Sequence, residues 1–204
     1  MENLSAENSL RLIAETIERS RSAIAKNSGK PLILWGSLVT VTSVIIWALW
    51  SKTGTPMWNL LWFAMTAIGA IGTYFIVRDQ KKVPESETKR ILGKIWQWFG
   101  IFSIGLYSIL WVAALILYAK GAEGVITINL TLIISLMMGL CGAISGAVMK
   151  MKSVSAAATL ATALAVLFVL LIPDGSPLQI LCFTILGIIA LIVPGIIFQK
   201  RSAK

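Results

Sequence analysis

The sequence predicts an all-α protein, a six-helix transmembrane bundle of three hairpins preceded by an N-terminal amphipathic cytoplasmic helix. Three observations predict it: an apolar excess, six long runs free of charge, and a one-sided distribution of lysine and arginine. The 204 residues are 57% hydrophobic and only 13% charged. A water-facing domain is usually close to half apolar and about a quarter charged. A single soluble surface does not hide such an excess, so the membrane class comes first.

The apolar runs are Leu32–Trp50, Met57–Val77, Trp96–Ala119, Val125–Met149, Val154–Ile172 and Leu178–Phe198, none with Asp, Glu, Lys or Arg. A hydrocarbon core ~30 Å thick is crossed by ~20 helical residues, and each run meets that length. A barrel wall would alternate apolar and polar residues, which these runs do not. The connections Ser51–Pro56, Lys120–Gly124 and Pro173–Pro177 are short and rich in Gly or Pro, whereas Arg78–Ile95 is longer and basic. This alternation groups the helices as three hairpins in series. The resulting organisation is a cytoplasmic helix over residues 1–30, a transmembrane domain over 31–199 and a tail over 200–204.

Of the 18 basic residues, 16 fall on one side of this arrangement; only Lys52 and Lys120 fall on the other. Basic residues stay on the cytoplasmic side, and an even number of spans then places both termini there. The net charge of +9 is thereby a consequence of topology rather than of nucleic-acid binding. The same basic rim favours anionic lipids at the cytoplasmic face. Trp47, Trp50, Trp58 and Trp62 flank the first outer turn, and Trp96 and Trp98 the inner end of the third helix, where indoles prefer to sit.

Residues 1–30 are polar and acid-containing, unlike the basic start and apolar core of a secretory signal. Within them, Leu10, Ile13, Ala14, Ile17 and Ile24 recur at helical spacing and build an apolar stripe. Glu7–Arg11, Arg11–Glu15 and Glu15–Arg19 are opposite-charge pairs four apart. The stripe of Leu10, Ile13, Ile17 and Ile24 is the candidate partner-binding surface, read first as docking on a cytoplasmic protein or on a second copy in a homodimer. Binding to the inner leaflet is the competing reading. Asn27–Ser28–Gly29 is expected to end this helix before Lys30–Pro31.

Inside the bundle, small residues govern how closely helices approach. Gly139, Gly142 and Gly146 share one face of the fourth helix and are the candidate packing residues, within one chain or across a dimer. Pro194–Gly195 predicts a kink or an early helix end. Thr40, Thr66, Thr73 and Tyr107 are the candidates for lining a polar cavity. Asn129 sits either at the outer interface or buried.

The absences narrow the function. The sequence has no His, so the usual neutral-pH proton shuttle is missing. Cys141 and Cys182 stand alone in apolar runs and read as packed side chains rather than metal ligands. No catalytic set, metal site or cofactor is expected. Coupled transporters place ionisable groups in the membrane, and no run has one. The expected function is non-enzymatic: a scaffold or sensor recruiting a partner through the N-terminal helix, or alternatively a small permease or channel for a neutral or lipophilic solute.

The stretch Ser9-Leu-Arg-Leu-Ile-Ala-Glu-Thr-Ile-Glu-Arg-Ser-Arg21, with Lys30-Pro-Leu-Ile-Leu-Trp-Gly36, resembles the opening of small multi-span inner-membrane proteins of Bacteroidetes type. The likeness covers about the first 40 residues. It implies a bacterial inner membrane and carries no functional residues with it.

Overall fold

A computed structural model describes residues 6–79, 87–120 and 129–201, and every regular element among them is helical. The elements are α1 (Ala6–Thr53), a 3₁₀ turn (Pro56–Leu60) leading into α2 (Leu61–Asp79), α3 (Glu87–Ala119), α4 (Leu130–Val148) and α5 (Lys152–Leu171). A second 3₁₀ turn (Pro177–Leu181) opens a last rod of α6 (Cys182–Leu186), a π segment (Gly187–Ile192) and α7 (Val193–Arg201). Six stretches are long and apolar enough to cross a membrane: Gly29–Thr53, Pro56–Arg78, Arg90–Leu117, Leu130–Val148, Lys152–Leu171 and Pro177–Lys200. These are the helices of a multi-pass membrane protein. The expected start of the fourth run, residues 125–128, lies outside the described residues.

Two expectations about helix ends are corrected. Asn27–Ser28–Gly29 does not end the N-terminal helix, because α1 runs unbroken through it and through Pro31. Gly29 is buried against the last rod, and a Cβ there would meet the Gly195 carbonyl oxygen at 2.6 Å. This backbone packing outweighs the local tendency of Gly to leave a helix. The domain boundary expected near residue 30 is therefore not marked by any break. At the other end of the chain, Pro194 does not terminate its helix. The preceding turn widens into the π segment, with the Val193 N–H reaching the Ile188 carbonyl. The longer loop accommodates a residue that has no N–H and crowds the carbonyl four residues back.

The core lies among α1, α4, α5 and the last rod. Ala158, Ala161 and Ala165 form the fully buried edge of α5, and Cys182, Leu186 and Phe198 belong to the same core cluster. α1 and the last rod approach at the level of backbone. A Cβ on Gly36 would meet the Gly187 carbonyl at 2.8 Å, and one on Gly195 the Gly29 carbonyl at 2.9 Å. Farther along the same pair, the hydroxyls of Ser43 and Thr184 share a hydrogen bond of 2.8 Å. α4 and α5 form the other close pair. Their turn is a Schellman motif: the Met151 N–H reaches the Gly146 carbonyl at 2.8 Å and the Lys150 N–H the Ala147 carbonyl at 3.0 Å. Lys150 takes the left-handed conformation (φ 54°) that this motif requires.

Packing does not single out the three hairpins. The close neighbours are α1 with the last rod, α4 with α5, and α5 with α6, while α2 lies along α1. Half of the most apolar stretch of the Pro177–Lys200 span is buried, but none of that of Arg90–Leu117. The α3 helix is thus the outlying element, and its position creates the site described next.

Candidate functional site: an aromatic cleft beneath α3

The α3 helix is held at two separated points. Near its basic end, the Trp96 indole Nε1 donates to Ser145 Oγ of α4 at 3.1 Å. Toward its other end, the Tyr107 hydroxyl donates to the Asn59 carbonyl at 2.8 Å, and its ring meets Phe63 with centroids 5.2 Å apart. Because the first contact leans on α4 and the second on the start of α2, the middle of α3 stands away from the core. The space left is a cleft of about 1710 Å³. That exceeds the ~300–1,000 Å³ of ordinary small-ligand pockets.

The cleft runs the length of the bundle. Pro31, Val77, Arg90 and Lys94 line one end, and Asn129, Asp174 and Gln179 line the other. Between them the wall is mostly apolar and aromatic, including Trp35, Trp62, Trp96, Phe99, Trp111 and Phe183. Trp62 and Phe183 meet edge to face at 5.2 Å, an arrangement that fixes both rings. Arg90, Lys94 and Asp174 are the charged lining residues, all at the ends.

Of the four expected cavity-lining residues, Thr66, Thr73 and Tyr107 line this cleft. The Thr73 hydroxyl accepts from Trp35 Nε1 at 2.9 Å, tying α2 to α1, and the Thr66 hydroxyl bonds back to the Trp62 carbonyl. The fourth, Thr40, is a correction. It sits in the contact between α1 and the last rod, with its hydroxyl against Gly187. Both Thr40 Oγ1 and Ser103 Oγ are buried without a hydrogen-bond partner among the described residues. Ser103 lines the cleft midway along α3. A serine in a helix usually bonds to the carbonyl one turn back, but the Ser103 hydroxyl oxygen is enclosed by its surroundings rather than open to the cleft.

The turn end carries a small polar cluster. Asn129 caps α4 by accepting from the Leu132 N–H at 3.0 Å, and its amide donates to Asp174 at 2.9 Å. This places Asn129 at the helix end rather than in the bundle interior. The buried Gln179 amide donates to the carbonyls of Val169 and Ile172 and to Asp174. Sequence reasoning passed over Gln179, although it is the one amide inside the sixth apolar run.

The chain matches no known family model, no curated protein and no solved structure.

The remaining predicted residues lie elsewhere. Gly139 faces Thr162, Gly142 faces the Ala158 Cβ at 2.9 Å, and Gly146 backs onto the Ser155 backbone, so all three face α5 of the same chain. On the N-terminal stripe, Leu10 and Ile13 are 67% and 56% exposed, with no helix packed on them among the described residues. The side chains of Ile17 and Ile24 lie outside the described residues. Among the described residues no group of three His, Cys, Asp or Glu side chains assembles that would hold a metal ion. Cys182 packs against the Ser135 hydroxyl in the core.

Proposed function

We propose that this chain is a small permease of the bacterial inner membrane that takes a lipophilic solute into the cleft beneath α3, with both termini cytoplasmic. The observation that carries this reading is the cleft itself: about 1710 Å³, aromatic, and charged only at its ends. Apolar walls with a few hydroxyls suit a molecule already dissolved in lipid. The absence of ionisable groups along the middle of the wall favours uncoupled passage over proton- or ion-driven transport. The reading is non-enzymatic and needs no cofactor.

Five of the tryptophans line the cleft (Trp35, Trp50, Trp62, Trp96 and Trp111), which supplies the assay. A brominated long-chain alcohol should quench their fluorescence saturably in the purified protein. Gly100 lines the cleft and has open space around its α-carbon, so Gly100→Phe fills the cleft without touching the core. The variant should lose saturable quenching. Equal saturable quenching of both proteins would refute the cleft as the binding site.

A second reading, recruitment of a partner through the N-terminal helix, is favoured by the exposure of Leu10 and Ile13. Burying such a side chain contributes about 1.5–3 kcal/mol. Ile13→Ser with Ile17→Ser should abolish self-association or partner capture while leaving insertion intact. If neither these contacts nor binding to anionic liposomes changes, recruitment is excluded.

A further inference from the structure

The turn end of the cleft offers an amide oxygen and a carboxylate, and that chemistry specifies the head of a ligand. Gln179 lines this end and is only 6% exposed. Its amide nitrogen is spent on three acceptors, the carbonyls of Val169 and Ile172 and Asp174 Oδ1. Because all three are acceptors, the nitrogen is fixed on that side and Oε1 is turned the other way. That oxygen has no hydrogen bond among the described residues and, unlike Ser103 Oγ, is not enclosed. A buried amide oxygen of this kind calls for a donor. Nε2 stands 3.3 Å from Asp174 Oδ1, so Oε1 of the same amide lies within ~6 Å of that carboxylate oxygen. Among the described residues Asp174 is engaged by the amides of Asn129 and Gln179 and by no cation. Residues 121–128, outside the described set, contain Glu123 and no Lys or Arg. Lys52 and Lys120, the basic residues of the neighbouring turns, are exposed and do not line the cleft. The amino end of α4 and the carboxyl end of α5 meet here, and their opposite partial charges offset. The carboxylate therefore sets the sign of the field. One turn inward from Gln179 the wall turns aromatic, with Phe183 of the same rod edge to face against Trp62. A carboxylate and an open carbonyl oxygen above an aromatic wall match an ammonium group joined to an apolar body.

We infer that the cleft binds a lipophilic primary ammonium ion, with its N–H groups donating to Asp174 and Gln179 Oε1 and its apolar body along Phe183 and Trp62. This rests on the cleft being a lipophile site and adds to it the charge of the head and the end at which the head sits. An alcohol of the same chain offers one neutral donor, and a sulfonate offers a negative head with no donor, so the order among the three isolates the head.

The test uses the full chain in neutral detergent and tryptophan quenching by three probes with the same brominated chain, a primary ammonium, an alcohol and a sulfonate. The ammonium should bind about tenfold more tightly than the alcohol, because hydrogen bonds between charged groups are the stronger kind, and the sulfonate should bind most weakly. Asp174→Asn keeps an oxygen for both amides, so it should bind the alcohol as the parent does while its affinities for ammonium and alcohol come together. Asp174→Glu should keep them apart. Lys120→Gln changes the charge at the same end outside the cleft and should leave the ratio unchanged. Equal affinity of the parent for ammonium and alcohol, an unchanged ratio in Asp174→Asn, or a shift in Lys120→Gln as large as that in Asp174→Asn would overturn the head assignment while leaving the lipophile cleft standing. Quenching by none of the three probes beyond that seen in Gly100→Phe would overturn both.

Discussion

Replacing Gly36 with alanine tests the contact on which the bundle depends most. A Cβ at Gly36 would lie 2.8 Å from the Gly187 carbonyl oxygen, 2.7 Å from Ile192 Cγ1 and 2.9 Å from Leu191 Cβ. A carbon and a carbonyl oxygen normally approach to about 3.3–3.6 Å. The Ile192 side chain is able to move, but the Gly187 carbonyl belongs to the π segment and moves only with the rod. α1 and the last rod would have to part by roughly half an ångström, loosening the Gly29–Gly195 approach on the same pair of helices. Overpacking of this kind costs about 1–3 kcal/mol. Alanine returns about 0.5–1 kcal/mol through its lower unfolded-state entropy. The expected net loss is up to about 2.5 kcal/mol, or up to roughly 10 °C in Tm for a chain of this size. Thermal unfolding in detergent, followed by circular dichroism, reads it directly. Gly105→Ala is the control: a Cβ there meets nothing within 4 Å, so this variant should be as stable as the parent or more so. A Gly36→Ala protein no less stable than the parent would refute the close crossing of α1 with the last rod.

Gly146→Leu drives a side chain into the Ser155 backbone of α5 and should cost about 3 kcal/mol in a detergent unfolding titration; Gly142→Ala, facing only the Ala158 Cβ, should cost less. Because both glycines face α5 of the same chain, light scattering should show an unchanged oligomeric state for the variants that remain folded. Lys150→Gly relieves a left-handed conformation that costs an L side chain roughly 1–2 kcal/mol, so it should raise Tm; a fall would indicate that the tight α4–α5 turn is absent. Trp35→Phe removes the hydrogen bond to Thr73 and should destabilise by about 0.6 kcal/mol, the average for such bonds in membranes, with no loss if α2 does not lie along α1.

Much of the packing was written in the sequence but in a form that admits several partners. Gly139, Gly142 and Gly146 were recognisable as a small-residue face, yet only the structure turns that face onto α5. Gly29 and Gly36 are seven residues apart, and Gly187 and Gly195 eight. Those are two-turn spacings, and they are the signal that would have identified the crossing of α1 with the last rod. The cavity candidates divided for the same reason. Thr66, Thr73 and Thr40 look alike along the chain, but Thr40 falls on the side of α1 that meets Gly187 and the other two fall on the cleft.

The amino-acid sequence by itself determined that the chain is helical and contains six stretches able to cross a membrane, because the length of an apolar run and the lack of charge within it are local properties. It also determined that Asp, Glu, Lys and Arg are kept out of the six apolar runs at the heart of those stretches. It did not determine where α1 ends or how Pro194 is accommodated. Asn27, Ser28, Gly29 and Pro194 weaken a helix locally, and only the backbone contacts of Gly29 and the π segment before Pro194 decide that both helices continue. The cleft, too, exists only in three dimensions. It arises because Trp96 finds Ser145 on α4 while Tyr107 finds the Asn59 carbonyl beside α2, and residues 49 and 48 positions apart share no local pattern that would announce either contact.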